Sequence, residues 1–224
     1  MTETVVVAGG TGVLGAAVTA EFLQAGWRVV VPGRTEESLG RLGSHPALNP
    51  VIADPYDPAG TADVVALAAA DENAPLTALV NLVGGFASGS RVHETPIEDF
   101  ESQLRLNLRP TYLITQGVLP HLLAAGRGAI VCTSSGAAVR PFSGAAGYIT
   151  AKAGVIAFAD ALHAEYARDG IRVNTIVPGT IDTPANRAAM PNADTSKWTP
   201  PARIATVVRT LVETPGFAGG HLPV

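Results

Sequence analysis

The sequence holds one cysteine, Cys132, in 224 residues. A lone cysteine excludes an internal disulfide and a thiolate metal cage. It lies in the apolar run "AIVCT" (129–133) and reads as a buried structural thiol. Histidine is scarce as well. The five (45, 93, 121, 163, 221) are far apart and show no HExxH or HxH spacing, so no metal site is expected. Charged residues make up 15%, against about a quarter in an average soluble domain. The formal net charge is -4 and the basic residues are scattered, so no nucleic-acid partner is expected. No apolar run approaches the roughly 18 residues of a membrane span. The start "MTETVVVAGG" has no basic segment ahead of a long apolar stretch and does not read as a secretory signal. A soluble, cytoplasmic protein with no membrane partner is the expectation. With 47% hydrophobic residues and little charge to cover the outside, the composition points to oligomer interfaces.

What is present is a regular alternation. Strand-like runs occur at 4–8, 28–32, 50–53, 78–82, 129–133, 172–176 and 221–224. Most are continuously apolar, the pattern of strands buried on both faces in a parallel sheet. Helical patterns fill the gaps at 13–25, 35–42, 59–73, 96–125, 146–169 and 201–213. Right-handed crossovers then give one α/β domain over 1–224, a doubly wound parallel sheet of about seven strands with helices on both faces, a Rossmann fold. Residues 177–200 form the longest irregular stretch and are expected to cover a substrate. Ligands of such sheets sit beyond the carboxyl ends of the strands, so the residues that follow each strand matter most.

After the first strand, "VVVAGGTGVLG" sets Gly9, Gly12 and Gly15 at GxxGxxG spacing and opens a helix. Glycines permit a tight turn and close approach of a pyrophosphate, and the helix N-terminus supplies N–H groups and a favourable dipole. Thr11, Val13 and Leu14 belong to this cradle. Strand two ends at Gly33 and Arg34, where an NAD site usually carries an acid for the ribose 2′-OH. A guanidinium there suits a 2′-phosphate, so NADP(H) is preferred over NAD(H). Asp54 follows strand three and either accepts from the adenine or caps a turn. Asn81 can brace the backbone after strand four, where Gly84 admits the cofactor.

Tyr148 and Lys152 stand four apart, on one face of a helix. An ammonium near a phenol favours the phenolate, which makes the pair a general acid/base for a carbonyl or alcohol. Ser135 ends strand five and can hydrogen-bond the substrate oxygen. Asn107 lies in the helix before it. Pro110 deprives the Leu106 carbonyl of a partner, a disturbance that can hold a relay water. "VPGTIDTP" (177–184) places Pro178, Gly179, Ile181 and Thr183, with Thr180, near a nicotinamide. In the long loop Met190 and Trp198 can give apolar walls, with Asn186, Arg187 and Asp194 closing it by polar contacts. Phe86 in "VGGFASGSRVH" can face them.

This order of motifs resembles the short-chain dehydrogenase/reductase family over essentially the whole chain. The resemblance implies a catalytic tetrad of Asn107, Ser135, Tyr148 and Lys152. In it tyrosine donates the proton and serine orients the carbonyl. Lysine lowers the tyrosine pKa, binds the nicotinamide ribose and joins a water relay with asparagine. The implied activity is NADP(H)-dependent interconversion of a small-molecule carbonyl and an alcohol. The glycine turn departs from the family's TGxxxGxG, with Ala8 in place of threonine. The segment "IDTPANRAAMPNADTSKWTP" resembles the matching loop of dihydropteridine reductases, a branch that reduces quinonoid dihydropterin with NADH. Gly33–Arg34 and Ser135 depart from that branch, so pterin reduction is the alternative. A non-catalytic NADP(H)-binding sensor is another.

Overall fold

A computed structural model describes residues 2–224. Seven parallel strands form one sheet: β1 Thr4–Ala8, β2 Arg28–Gly33, β3 Leu48–Ile52, β4 Leu76–Asn81, β5 Gly128–Thr133, β6 Ile171–Val177 and β7 His221–Pro223. Their spatial order is β3-β2-β1-β4-β5-β6-β7. The helices are α1 Val13–Gln24, α2 Glu36–Gly40, α3 Pro58–Ala69, α4 Ile97–Asn107, α5 Arg109–Ala125, α6 Gly136–Val139, α7 Ala146–Tyr166, α8 Pro184–Ala189 and α9 Pro201–Glu213.

Alternate residues of each central strand enter opposite layers. Val5 and Val7 of β1 join Val18 and Phe22 of α1 and Ile204 and Val208 of α9. Val6 and Ala8 join Val64 of α3, Val118 and Leu122 of α5 and Val155 of α7. Both faces of the sheet are therefore apolar, which is why its strands read as unbroken hydrophobic runs. Cys132 is fully buried in the second layer, and burial pushes its thiol pKa up to about 12, so it is inert at neutral pH. No helix among the described residues is long and apolar enough to cross a membrane.

Two stretches differ from the sequence expectation. The helix expected over 96–125 is broken at Leu108, and α5 restarts with Pro110 in its first turn. Proline lacks an N–H but suits that position, so it opens a new helix rather than disturbing a continuous one. The stretch 177–200 is not wholly irregular. It carries α8, capped by Thr183, and a 3₁₀ turn at Thr195–Lys197 capped by Asp194. Its ends are tied together: Asp182 N–H donates to the Thr199 carbonyl (3.0 Å) and Thr199 N–H to the Thr180 carbonyl (2.9 Å). Arg187 forms a two-point ion pair with Asp182 at 2.6 and 2.8 Å, and Asn186 donates to the Ile181 carbonyl.

Candidate active site

Strand order reverses between β1 and β4, which opens a crevice at their carboxyl ends. The turn after β1 enters it at Gly9, whose φ of +81° is left-handed. A methyl group there would lie 2.9 Å from the Leu82 carbonyl carbon, and one on Gly15 would lie 2.1 Å from the Gly9 oxygen. Gly9 and Gly15 are thus needed by the fold itself. Gly12 differs: the nearest atom to an added methyl is 3.5 Å away, so its bareness leaves space toward the crevice. Gly12 also caps α1 without a side-chain hydrogen bond, so the first-turn amides keep their donors for another partner. Thr11, Val13 and Leu14 surround it, and Val13 is half exposed. Such a cradle fits a pyrophosphate. The sequence reading overlooked Gly10, where a methyl would meet Val31 at 2.6 Å; the doubled glycine in "VAGGTG" was its only sign.

At the end of β2, a methyl on Gly33 would lie 2.7 Å from two Leu39 side-chain atoms. An acidic side chain there is incompatible with α2 as packed. Arg34 is exposed next to it, and its charge lowers the Tyr56 phenol while burial raises it. Arg34 and Tyr56 therefore border the same space. Asp54 spends one carboxylate oxygen on the Tyr56 N–H (3.0 Å), an Asx turn. Asn81 is fully buried and braces the backbone, accepting from Val83 N–H (3.2 Å) and donating to the Thr111 hydroxyl (2.7 Å).

The four proton-transfer candidates come from three places, the end of α4, the turn after β5 and the first turns of α7, and converge. Asn107 ends α4, fully buried. Its Oδ1 accepts from Gly85 N–H (3.0 Å) and its Nδ2 donates to the Gln103 carbonyl (3.1 Å). Its own carbonyl accepts from the Thr111 hydroxyl (3.1 Å). Gly84 marks the convergence: a methyl there would lie 2.6 Å from Asn107 Oδ1 and 2.9 Å from Lys152 Nζ. Lys152 is 5% exposed and donates to the Thr133 carbonyl (3.0 Å). The two serines divide their tasks. Ser134 is buried and donates to the Lys152 carbonyl (2.8 Å), fastening α7 to β5. Ser135 caps α6 by accepting from Ala137 N–H (3.2 Å), and its hydroxyl lies near enough to Tyr148 to draw the phenol pKa down.

Electrostatics here depart from the simplest expectation. Burial holds the Tyr148 phenol above its ordinary value, and the Ser135 hydroxyl draws it down. Burial lowers the Lys152 ammonium to about 8, while the neighbouring Cys132 raises it. Lys152 is therefore the group that exchanges a proton near neutrality, and the phenol keeps its own.

Other predicted positions are placed as follows. Pro178 is buried, and its carbonyl accepts from Gly136 N–H (2.7 Å), so this turn touches the serine loop. Gly179 N–H donates to Val224, Ile181 bridges to Thr199, and Thr183 caps α8. Phe86 stacks edge-to-face on Tyr148, with ring centroids 5.0 Å apart at 90°. A cavity of about 570 Å³ reaches Tyr148, walled by segments within 87–103 and by 144–147. Met190 and Trp198 do not line it; Met190 is 40% exposed and Trp198 half-buried.

The Lys152 value sets a pH dependence. Between its folded pKa of about 8 and the unfolded 10.5, the unfolded chain binds the extra proton, so stability rises with pH. Cys132, raised from 9.0 to about 12, acts in the opposite sense only above pH 9. Denaturant unfolding should therefore show a gain of about 1 kcal/mol between pH 7.5 and 9. Lys152→Met should lack that gain, and a flat wild-type profile would refute the assignment.

The profile of the family described as short chain dehydrogenase matches residues 3–194. The chain is 33% identical over 191 residues to 2-(R)-hydroxypropyl-CoM dehydrogenase of Xanthobacter autotrophicus, covering 82% of this chain and 76% of that one. It is 31% identical over 185 residues to D-threitol dehydrogenase of Mycolicibacterium smegmatis, covering 79% and 69%. Among solved structures, a short chain dehydrogenase/reductase family oxidoreductase from Burkholderia thailandensis is 31% identical with a TM-score of 0.87, covering 100% of this chain and 91% of that one. ElxO, solved with NADP bound, is 23% identical with a TM-score of 0.91, covering 100% and 97%, a likeness of fold. With a profile match over most of its length and relatives of this kind, the chain belongs to the short-chain dehydrogenase/reductase family of oxidoreductases.

Proposed function

We propose that the protein interconverts a carbonyl and an alcohol with NADP(H). The observation that carries this reading is the convergence of Tyr148, Ser135, Lys152 and Asn107 at the crevice that begins with the glycine cradle. Gly9 to Leu14 would hold the pyrophosphate, Arg34 the 2′-phosphate, and Pro178 to Thr183 the nicotinamide side. When bound, the reduced nicotinamide supplies a hydride to the carbonyl carbon.

The chain's own residues handle the proton. Ser135 holds the substrate oxygen beside the phenol. Tyr148 gives its proton to that oxygen as charge develops, a suitable role for a phenol that burial keeps protonated. Lys152, poised near pH 8, then stabilises the phenolate and returns a proton to it. Asn107, locked by three hydrogen bonds, keeps the floor of the site fixed. The loop at 177–200 closes over the substrate in this reading. A Ser135 hydroxyl placed beside Tyr148 favours turnover over a sensor that only binds the cofactor.

Tyr148→Phe should retain NADPH binding and lose at least about a hundredfold in NADPH oxidation across a panel of ketones. Full activity in that variant would end the proposal. Arg34 leads us to expect NADPH to bind about tenfold tighter than NADH, as charge-assisted phosphate contacts do, with most of the difference lost in Arg34→Ala; equal titration constants in the wild type would count against it. An apolar groove on α4, α5 and α7, bordered by Leu104, Leu108, Tyr112 and Phe158, supports a homodimer or homotetramer. Light scattering at micromolar concentration should give at least twice the chain mass; a monomer would exclude it.

A further inference from the structure

Beside the catalytic phenol stands a wall that the proton-transfer chemistry does not require. Phe86 follows β4 and Phe142 precedes α7. Their rings lie 6.3 Å apart, tilted by 50°, and Phe86 stands perpendicular to Tyr148 at 5.0 Å. Phe86 is nevertheless 60% exposed and Phe142 50%. Val92 is exposed as well and lines one surface hollow with Phe142. Exposed apolar area of this extent next to a reactive group marks a place where something apolar binds.

The wall is built rather than loose. Gly89 N–H donates to the Gly144 carbonyl at 2.7 Å, which clasps the Phe86 segment to the Phe142 segment. Gly144 has φ +85°, and a methyl on it would lie 2.6 Å from the Gly89 oxygen. Only glycine permits both the conformation and the approach. The clasp fixes the spacing of the two rings before any ligand arrives, so little ordering entropy remains to be lost on binding.

Three rings at 90° and 50° to one another form a corner, not a slot for an alkyl chain. Aromatic rings gain from edge-to-face and offset contacts beyond the area they bury. We propose that Phe86 and Phe142 are specificity-determining residues that select substrates bearing an aromatic ring on the reacting carbon. The substrate class is then aryl ketones and benzylic alcohols rather than saturated or polyhydroxylated analogues. This deepens the oxidoreductase reading above and rests on it.

The test compares acetophenone with cyclohexyl methyl ketone, which match in ring size and differ in planarity, at saturating NADPH. The wild type should favour the aryl ketone by about tenfold in kcat/KM, the scale of two aromatic contacts. Phe86→Leu and Phe142→Leu should each cut that preference severalfold, chiefly through KM, with unfolding midpoints retained. Equal specificity constants in the wild type, or a preference that survives both substitutions, would overturn the assignment while leaving the reductase reading intact. If neither ketone turns over, the ketone panel above decides the reductase reading on its own. Saturation-transfer NMR of both ketones against wild type and variants then decides. Ring-proton saturation of acetophenone lost in the variants supports the aromatic corner, and saturation of both ketones to the same degree in all proteins overturns it.

Discussion

The rest of the site depends on a backbone contact at the point where the sheet reverses. Leu82 N–H donates to the Ala8 carbonyl at 2.8 Å, and Gly9 lies so close that any side chain would strike the Leu82–Val83 peptide. This contact presses the turn after β1 against the turn after β4. One turn offers first-turn amides to a phosphate, and the other carries Gly84, Gly85 and Phe86 past Asn107 and Tyr148. The glycine turn and the Phe86 segment are thereby indexed to each other by main chain rather than by side chains that can swing. Parallel pairing of β1 with β4 maintains the index, because both strands are buried on both faces and neither can slip without moving two apolar layers.

A buried polar relay links the helix break to this contact. Asn81 donates to Thr111, Thr111 to the Asn107 carbonyl, and Asn107 accepts from Gly85. Each bond contributes only about 1 kcal/mol net, but leaving any of these groups unpaired in so dry a place costs about 1–3 kcal/mol. The relay therefore acts as a specifier of geometry. It holds the end of α4 and the start of α5 at one angle and fixes Asn107 below Gly84. Lys152, placed between the Thr133 carbonyl and Gly84, completes the floor at the expense of its own charge.

Much of this was legible in the sequence. The strands announced themselves because both-face burial demands unbroken apolar runs. Tyr148, Lys152 and Ser135 were legible because each follows a strand or sits at a helical spacing, and Asn107 because Pro110 stands three residues on and the family resemblance implies it. Other features were not. The break at Leu108 was read as a disturbance within one helix, because Pro110 is compatible with either outcome and the choice rests on the bond from Asn81, 30 residues earlier in the chain, to Thr111. Lys152 was expected to act on Tyr148 through charge, whereas burial lowers the lysine itself. Phe142 and Gly144 went unremarked, since a glycine in a Gly/Ala-rich loop gives no sign that it clasps a segment 55 residues earlier.

The tied base of the long loop has a consequence for how this fold can change. Residues 180–182 and 199 are fastened to one another, so the intervening stretch hangs from a closed neck. The chain enters and leaves that stretch at one place, and the entropy of closing such a loop grows only slowly with its length. Residues 183–198 are thus a cassette: lengthening, shortening or exchanging them leaves the strand ends on which the proton chemistry sits untouched. A lineage can explore new loops at this neck without renegotiating the core.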